Sequence, residues 1–221
     1  MHYITQAWTR CLYQLNLPAI SEGAIAEGPG PKAPSMDRQS IQLFTPAEAA
    51  ELTGLTLKAV NNAIDKKTIP THVEQRKGGA TRLLNKAAII YLCLHNRLAR
   101  NTSAEFRRRL FAAIAMEPTR PFASIGDLKV DLREPRREVA RRIKELHQAK
   151  RIVISEPEIL GGTPVFRRTR IPVHHIARLL QQGATPKALR QLYPDLSDEM
   201  IRLAPIYSAA RPPRGRPRKR P

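Results

Sequence analysis

Apolar residues recur at helical spacing twice within IQLFTPAEAAELTGLTLKAVNNAIDKKTIP, residues 41–70. Thr45 is followed by Pro46 at a first helical position and by Glu48 three residues on, so a capping box predicts a helix through Leu52, ended by Gly54. A second helix is predicted from about Leu57 to Lys67, with Leu57, Val60 and Ile64 on one face. Two short helices joined by a tight glycine turn are a helix-turn-helix pattern. The pattern then switches to alternation: THVEQRKGGATRLL turns at Lys77-Gly78-Gly79 and predicts a hairpin with Arg76, Lys77 and Arg82 at its tip and flanks. Asn85 can cap a following helix carrying Ala88, Ile89, Tyr91, Leu92, Leu94, Leu98 and Ala99, and Ser103 opens another with Phe106, Leu110, Phe111 and Ile114. Their breadth suggests both core and dimer surface.

The three prolines of residues 117–135 mark a boundary near Pro118–Pro121, with a strand predicted at Leu128–Leu132. EPRREVARRIKELHQAK is amphipathic, Val139, Ile143 and Leu146 lying on one side, and reads as a connecting helix or a phosphate-facing surface. Beyond it, Ile152–Ile154 and Pro164–Phe166 read as short extended pieces around Leu160-Gly161-Gly162. Helices are predicted at 173–182, 186–193 and 197–208, punctuated by Gly183 and Pro194 and capped by Thr185 and Ser197. The third opens on Ser197-Asp198-Glu199, which would meet phosphates with like charge. The fold class is therefore mainly α: a winged helix-turn-helix and a second small helical domain with a short β-hairpin. The divisions are an extension and linker at 1–40, a DNA-binding and dimerisation domain at 41–116, a connector at 117–149, the small helical domain at 150–208, and a tail at 209–221.

Charge sharpens this picture. The 221 residues carry a formal net charge of +19 and a pI near 10.9, concentrated in residues 36–116 and in the terminal RPPRGRPRKRP. Proline and glycine keep that tail from forming a helix or core, so it is expected to stay extended and solvated until an anionic partner orders it. A polyanion is the partner to expect, nucleic acid first and an acidic protein second. On the helix-turn-helix, Asn61 and Asn62 can pair with adenine edges, and Lys58 and Lys66 can reach guanine or phosphate, although a polar helix face is also what solvent requires.

Two cysteines, Cys11 and Cys93, imply no disulfide framework and fit a reducing cytosol. Cys93 with His95, and His174 with His175, lack further ligands at metal spacing, so packing roles are expected, one of the paired histidines packed and the other solvated. No apolar run reaches membrane length and no secretory signal opens the chain, which predicts a soluble, intracellular protein. Residues 1–35 run into a proline- and glycine-rich linker before Met36, and one reading makes Met36 the native start. A Gly-rich phosphate loop, a nucleophile with its base and a carboxylate cluster are all missing, so neither an enzyme nor a cofactor or metal is expected.

FTPAEAAELTGLTLKAVNNAIDKKTIP, a basic Gly-Gly hairpin and a long apolar helix together resemble the MerR-like winged helix over about residues 41–100. That resemblance implies Thr56, Lys58, Asn61, Asn62 and Lys66 at bases in the major groove and Arg76, Lys77 and Arg82 at phosphates. Residues 150–208 resemble a small bacterial domain of unknown function, typically encoded beside a PIN-like ribonuclease and acting as its antitoxin. Ile154-Ser155-Glu156-Pro157-Glu158-Ile159-Leu160-Gly161-Gly162-Thr163-Pro164-Val165-Phe166, Thr169–Val173, Leu180 with Gly183-Ala184, and Tyr193-Pro194 before Leu196 carry the likeness. Arg168 stands where a small residue, commonly Gly, is usual. Longer members, with a winged helix in front and a GRPR tail behind, are classed as VapB-type antitoxins. The resemblance implies a cytoplasmic, nucleoid-associated homodimer that neutralises a PIN-like toxin and binds operator DNA to autorepress its operon. The tail, Arg211, Arg214, Gly215, Arg216, Pro217, Arg218, Lys219 and Arg220, then has two open uses. It can plug the toxin's acidic metal pocket, or lie in an A·T minor groove, since Pro213–Arg218 resembles an AT-hook. A stand-alone winged-helix transcription regulator is the alternative.

Overall fold

The computed structural model describes residues 42–76, 79–98 and 102–213, all within one compact unit, Ser40–Pro221. Helices and short antiparallel sheets make up a mainly α architecture, as the sequence predicts. Strand β1 (Leu43–Phe44) leads into helix α1 (Pro46–Thr53), where Thr45 and Glu48 form the capping box: the Thr45 amide donates to Glu48 Oε2 at 2.9 Å. Gly54, at φ +68, ends the helix in the left-handed conformation that glycine adopts without strain. Helix α2 (Leu57–Asp65) stops short of Lys67, which sits at φ +51 while its amide donates to the Ile64 carbonyl. Strands β2 (His72–Arg76) and β3 (Gly79–Asn85) form the expected hairpin, and β1 adds to the other edge of β3, giving the order β1-β3-β2.

Helices α3 (Lys86–Leu98) and α4 (Ala104–Met116) follow, capped by Asn85 and Ser103. A strand was expected at residues 128–132, with no pairing partner assigned to it. β4 (Phe122–Ile125) pairs with β5 (Leu128–Asp131) about Gly126-Asp127, because β4 needs an antiparallel partner for its backbone groups. Helix α5 (Arg133–Arg151) is the connector. Then come β6 (Val153–Ile154), a 3-10 turn at Leu160–Gly162, β7 (Val165–Phe166), and helices α6 (Val173–Gln181), α7 (Pro186–Leu192) and α8 (Asp198–Ala210). Thr185 and Ser197 cap as predicted. β6 and β7 pair, Val153 opposite Phe166.

Two apolar cores result. The first gathers Phe44, Leu52, Leu84, Tyr91, Leu110 and Leu132, and the second Phe166, Val173, Ile176, Leu189, Ile201 and Leu203. α5 serves both, with Val139, Ile143 and Leu146 in the first and Ala149 in the second. α8 does the same, since Ala210 reaches the first core and Ile206 packs against both. Along α3, Ala88, Ile89, Ile90, Tyr91, Leu92 and Leu94 are all buried within the chain. These side chains supply the core part of the surface predicted there; the Leu98 side chain and Ala99 lie outside the described residues, and Met116, Phe122 and Leu128 are exposed apolar side chains nearby in the sequence.

Candidate nucleic-acid interface

Thr56, in extended conformation, caps α2: its Oγ1 accepts from the Ala59 amide at 3.2 Å. The hydroxyl hydrogen remains able to donate to an anion. Val60, Ala63 and Ile64 bury one face of the helix against the first core, which turns Lys58, Asn62, Asp65 and Lys66 to solvent. Asn61 is half-buried, so the face open to a base is narrower than the sequence pattern implies. Leu57, expected on the apolar face, is 41% exposed, because the first residue of the helix projects beyond the core that covers Val60. Lys67 is a cation that periodicity did not single out; its left-handed backbone carries it past the helix end, where it too is exposed.

The hairpin pairs His72 with Leu83 and Arg76 with Gly79. Lys77 and the Arg76 side chain, both expected at phosphate, lie outside the described residues. Arg82, also expected at phosphate, pairs with an acid: its Nη1 lies 2.6 Å from Asp65 Oδ1 and ties the hairpin to α2. With both groups largely in water the pair adds little stability, on the order of 0.2–1 kcal/mol. Its consequence is geometric. Beside Arg82, Val73 is 61% exposed, an apolar side chain on the strand face.

Among the described residues Glu48 is the one buried acid, 4% exposed. Besides its cap bond, Oε1 receives Lys150 Nζ at 2.7 Å, from the end of α5, and lies 4.0 Å from Arg211 Nε, just past α8. One carboxylate therefore joins the helix-turn-helix, the connector and the root of the basic tail. Of the tail site residues only Arg211 is described; Arg214, Gly215, Arg216, Pro217, Arg218, Lys219 and Arg220 lie outside the described residues.

In the second core the histidine pair behaves differently from expectation, for both rings are half-buried and bonded. His174 Nδ1 lies 2.9 Å from Ser208 Oγ, and His175 Nε2 lies 2.9 Å from the Tyr193 hydroxyl. Burial pushes the His174 imidazole below its ordinary range. Among the described residues no group of three metal-ligating side chains occurs. A cavity of about 370 Å³ between α1, α3 and α5 is lined by Thr53, Cys93, Glu134, Glu138 and Arg142. Its Glu138 is held by Arg141 and Arg142, whose hydrogen bonds lower the carboxyl below the usual range. That leaves an ion-paired pocket rather than an acid poised for proton transfer. No helix among the described residues is long and apolar enough to cross a membrane.

Comparison with known proteins bears on the C-terminal half first. Residues 153–208 match the family described as protein of unknown function, DUF433. The X-ray crystal structure of Rv2018 from Mycobacterium tuberculosis is 16% identical and covers 73% of this chain and 95% of its own, at a TM-score of 0.30, too slight a likeness to carry an inference. The uncharacterized protein y4eO of Sinorhizobium fredii (strain NBRC 101917 / NGR234) is 32% identical over 192 residues, which span 80% of this chain and 85% of y4eO. With that identity over 80% of this chain and 85% of y4eO, this protein, whose residues 153–208 match the DUF433 model, belongs to the family of y4eO.

Proposed function

We propose that this protein is a DNA-binding antitoxin of the VapB type. A MerR-like winged helix holds operator DNA while the DUF433 domain and basic tail bind and silence a PIN-like ribonuclease. The observation that carries the reading is the exposed row Lys58, Asn62 and Lys66 on α2, set beside a hairpin that Asp65 and Arg82 brace. A helix presenting Asn and Lys beside a basic hairpin has the chemistry for base edges and adjacent phosphates. A net charge of +19 supports a polyanionic partner. Arg211, at the root of the basic tail just past α8, is turned toward buried Glu48.

Co-expression with the neighbouring gene product tests the reading, followed by co-purification and an RNA-cleavage assay. The full chain and one ending at Pro213 are compared, because the shorter chain keeps Arg211 against Glu48. Association with loss of cleavage supports the antitoxin, and failure of the shorter chain to inhibit assigns the plug to residues 214–221. No association, with a specific duplex still bound, favours the stand-alone regulator.

A further inference from the structure

Most described arginines are already engaged by acids. Arg109, Arg120, Arg133, Arg137, Arg141 and Arg190 each lie 2.6–3.1 Å from a carboxylate oxygen. Of those without a carboxylate partner, Arg107, Arg108, Arg136 and Arg178 lie along helices, whereas four others come together around one turn. Arg167, Arg168 and Arg170 lie on the tight turn after β7, closed at its base by Phe166 N–H donating to the Ile171 carbonyl and by Thr169 N–H donating to Phe166. Arg151 ends α5 beside them, since Arg167 donates from its amide to the Ile152 carbonyl and from Nε to the Arg151 carbonyl at 3.3 Å. All four are exposed, and no carboxylate within 4.0 Å of any of them occurs among the described residues. The Arg168 backbone is left-handed at φ +64, a conformation that favours glycine, yet the position holds a long cation.

We propose that Arg151, Arg167, Arg168 and Arg170 form a second phosphate-binding surface, through which the DUF433 domain grips the DNA backbone. The inference rests on the DNA-binding half of the reading above. Unpaired guanidinium groups on a short rigid turn bind phosphate oxygens in pairs and without regard to sequence. A protein partner fits less well: protein interfaces centre on buried apolar or aromatic anchors, whereas this turn presents cations, and the domain's exposed Leu160 and Leu192 sit on the Leu160–Gly162 turn and at the end of α7. A phosphate backbone requires no such anchor. The surface would add affinity and extend the footprint, while base reading stays with α2.

The test is fluorescence anisotropy of a mixed-sequence duplex of about 25 base pairs, titrated with full chain across a range of salt. Three variants are compared with the parent: Arg168→Gly; Arg167→Gln/Arg168→Gly/Arg170→Gln; and Lys58→Gln/Lys66→Gln. Each phosphate contact contributes about 0.9 to the slope of log affinity on log salt, so the triple variant should flatten it by about 2.7 and Arg168→Gly by about 0.9. Arg168→Gly should also raise the melting temperature by about 2–4 °C, because glycine relieves the left-handed strain, which separates lost contact from lost fold. If the arginine variants match the parent while Lys58→Gln/Lys66→Gln weakens binding, the second surface is overturned and the helix reading stands. If only the arginine variants weaken binding, the surface holds and the α2 reading falls. A parent chain that binds no duplex overturns both.

Discussion

Glu48 has two tasks, capping α1 and balancing Lys150 and Arg211. Truncation removes the capping acceptor and leaves the half-buried Lys150 ammonium alone, so Glu48→Ala should cost about 3 kcal/mol in urea unfolding. Glu48→Gln, which keeps the acceptor and loses the charge, should fall between it and the parent. His174 offers a pH signature. Its folded imidazole is held below the ordinary value of 6.5 by burial, so the unfolded chain takes up the proton first as pH falls. Stability is then fully present above about 6.5 and declines below it, until the folded imidazole titrates as well. Thermal unfolding of His174→Gln between pH 7.5 and 5 should show a shallower decline than the parent; equal declines would remove His174 from the account. The capping half of the Glu48 role was legible because Thr45-x-x-Glu48 is a local pattern. Its ion pairs were not, for Lys150 and Arg211 lie far along the chain.

The helix-turn-helix and its hairpin were legible as elements, since helical and alternating periods and turn glycines encode them locally. Their mutual tie was not. Asp65 and Arg82 are 17 residues apart on different elements, and only packing of β3 beside α2 brings them to 2.6 Å. Asp65 both occupies Arg82 and repels phosphate, so Asp65→Asn should strengthen DNA binding at low salt by a few-fold, an effect that fades as salt screens it. An unchanged anisotropy titration would show that Arg82 does not turn to phosphate. Asn62→Ala should lower affinity for the operator by about 1–3 kcal/mol with little loss on mixed-sequence duplex, as expected for a base contact.

Across the whole molecule, α5 and α8 hold the two cores in one unit. Leu203 is fully buried in the second core, and Ala210, two turns further along α8, lies in the first. Leu203→Ala should therefore cost about 2–5 kcal/mol, and amide exchange should speed up in α1 as well as in α6. Loss of protection confined to α6 and α7 would show that the cores open separately. The sequence by itself determined the mainly α class, the capped helix starts and the basic hairpin, because caps, periods and turn residues act over a few positions. Only the tertiary structure decided that Ala88–Leu92 of α3 lie in the chain's own core, that Arg82 pairs with Asp65 and that Arg168 takes a left-handed backbone with no acid beside it. It also decided that the tail begins at the helix-turn-helix carboxylate. Each of these depends on which surfaces meet, and burial and ion pairing are properties of that meeting rather than of any local run of residues.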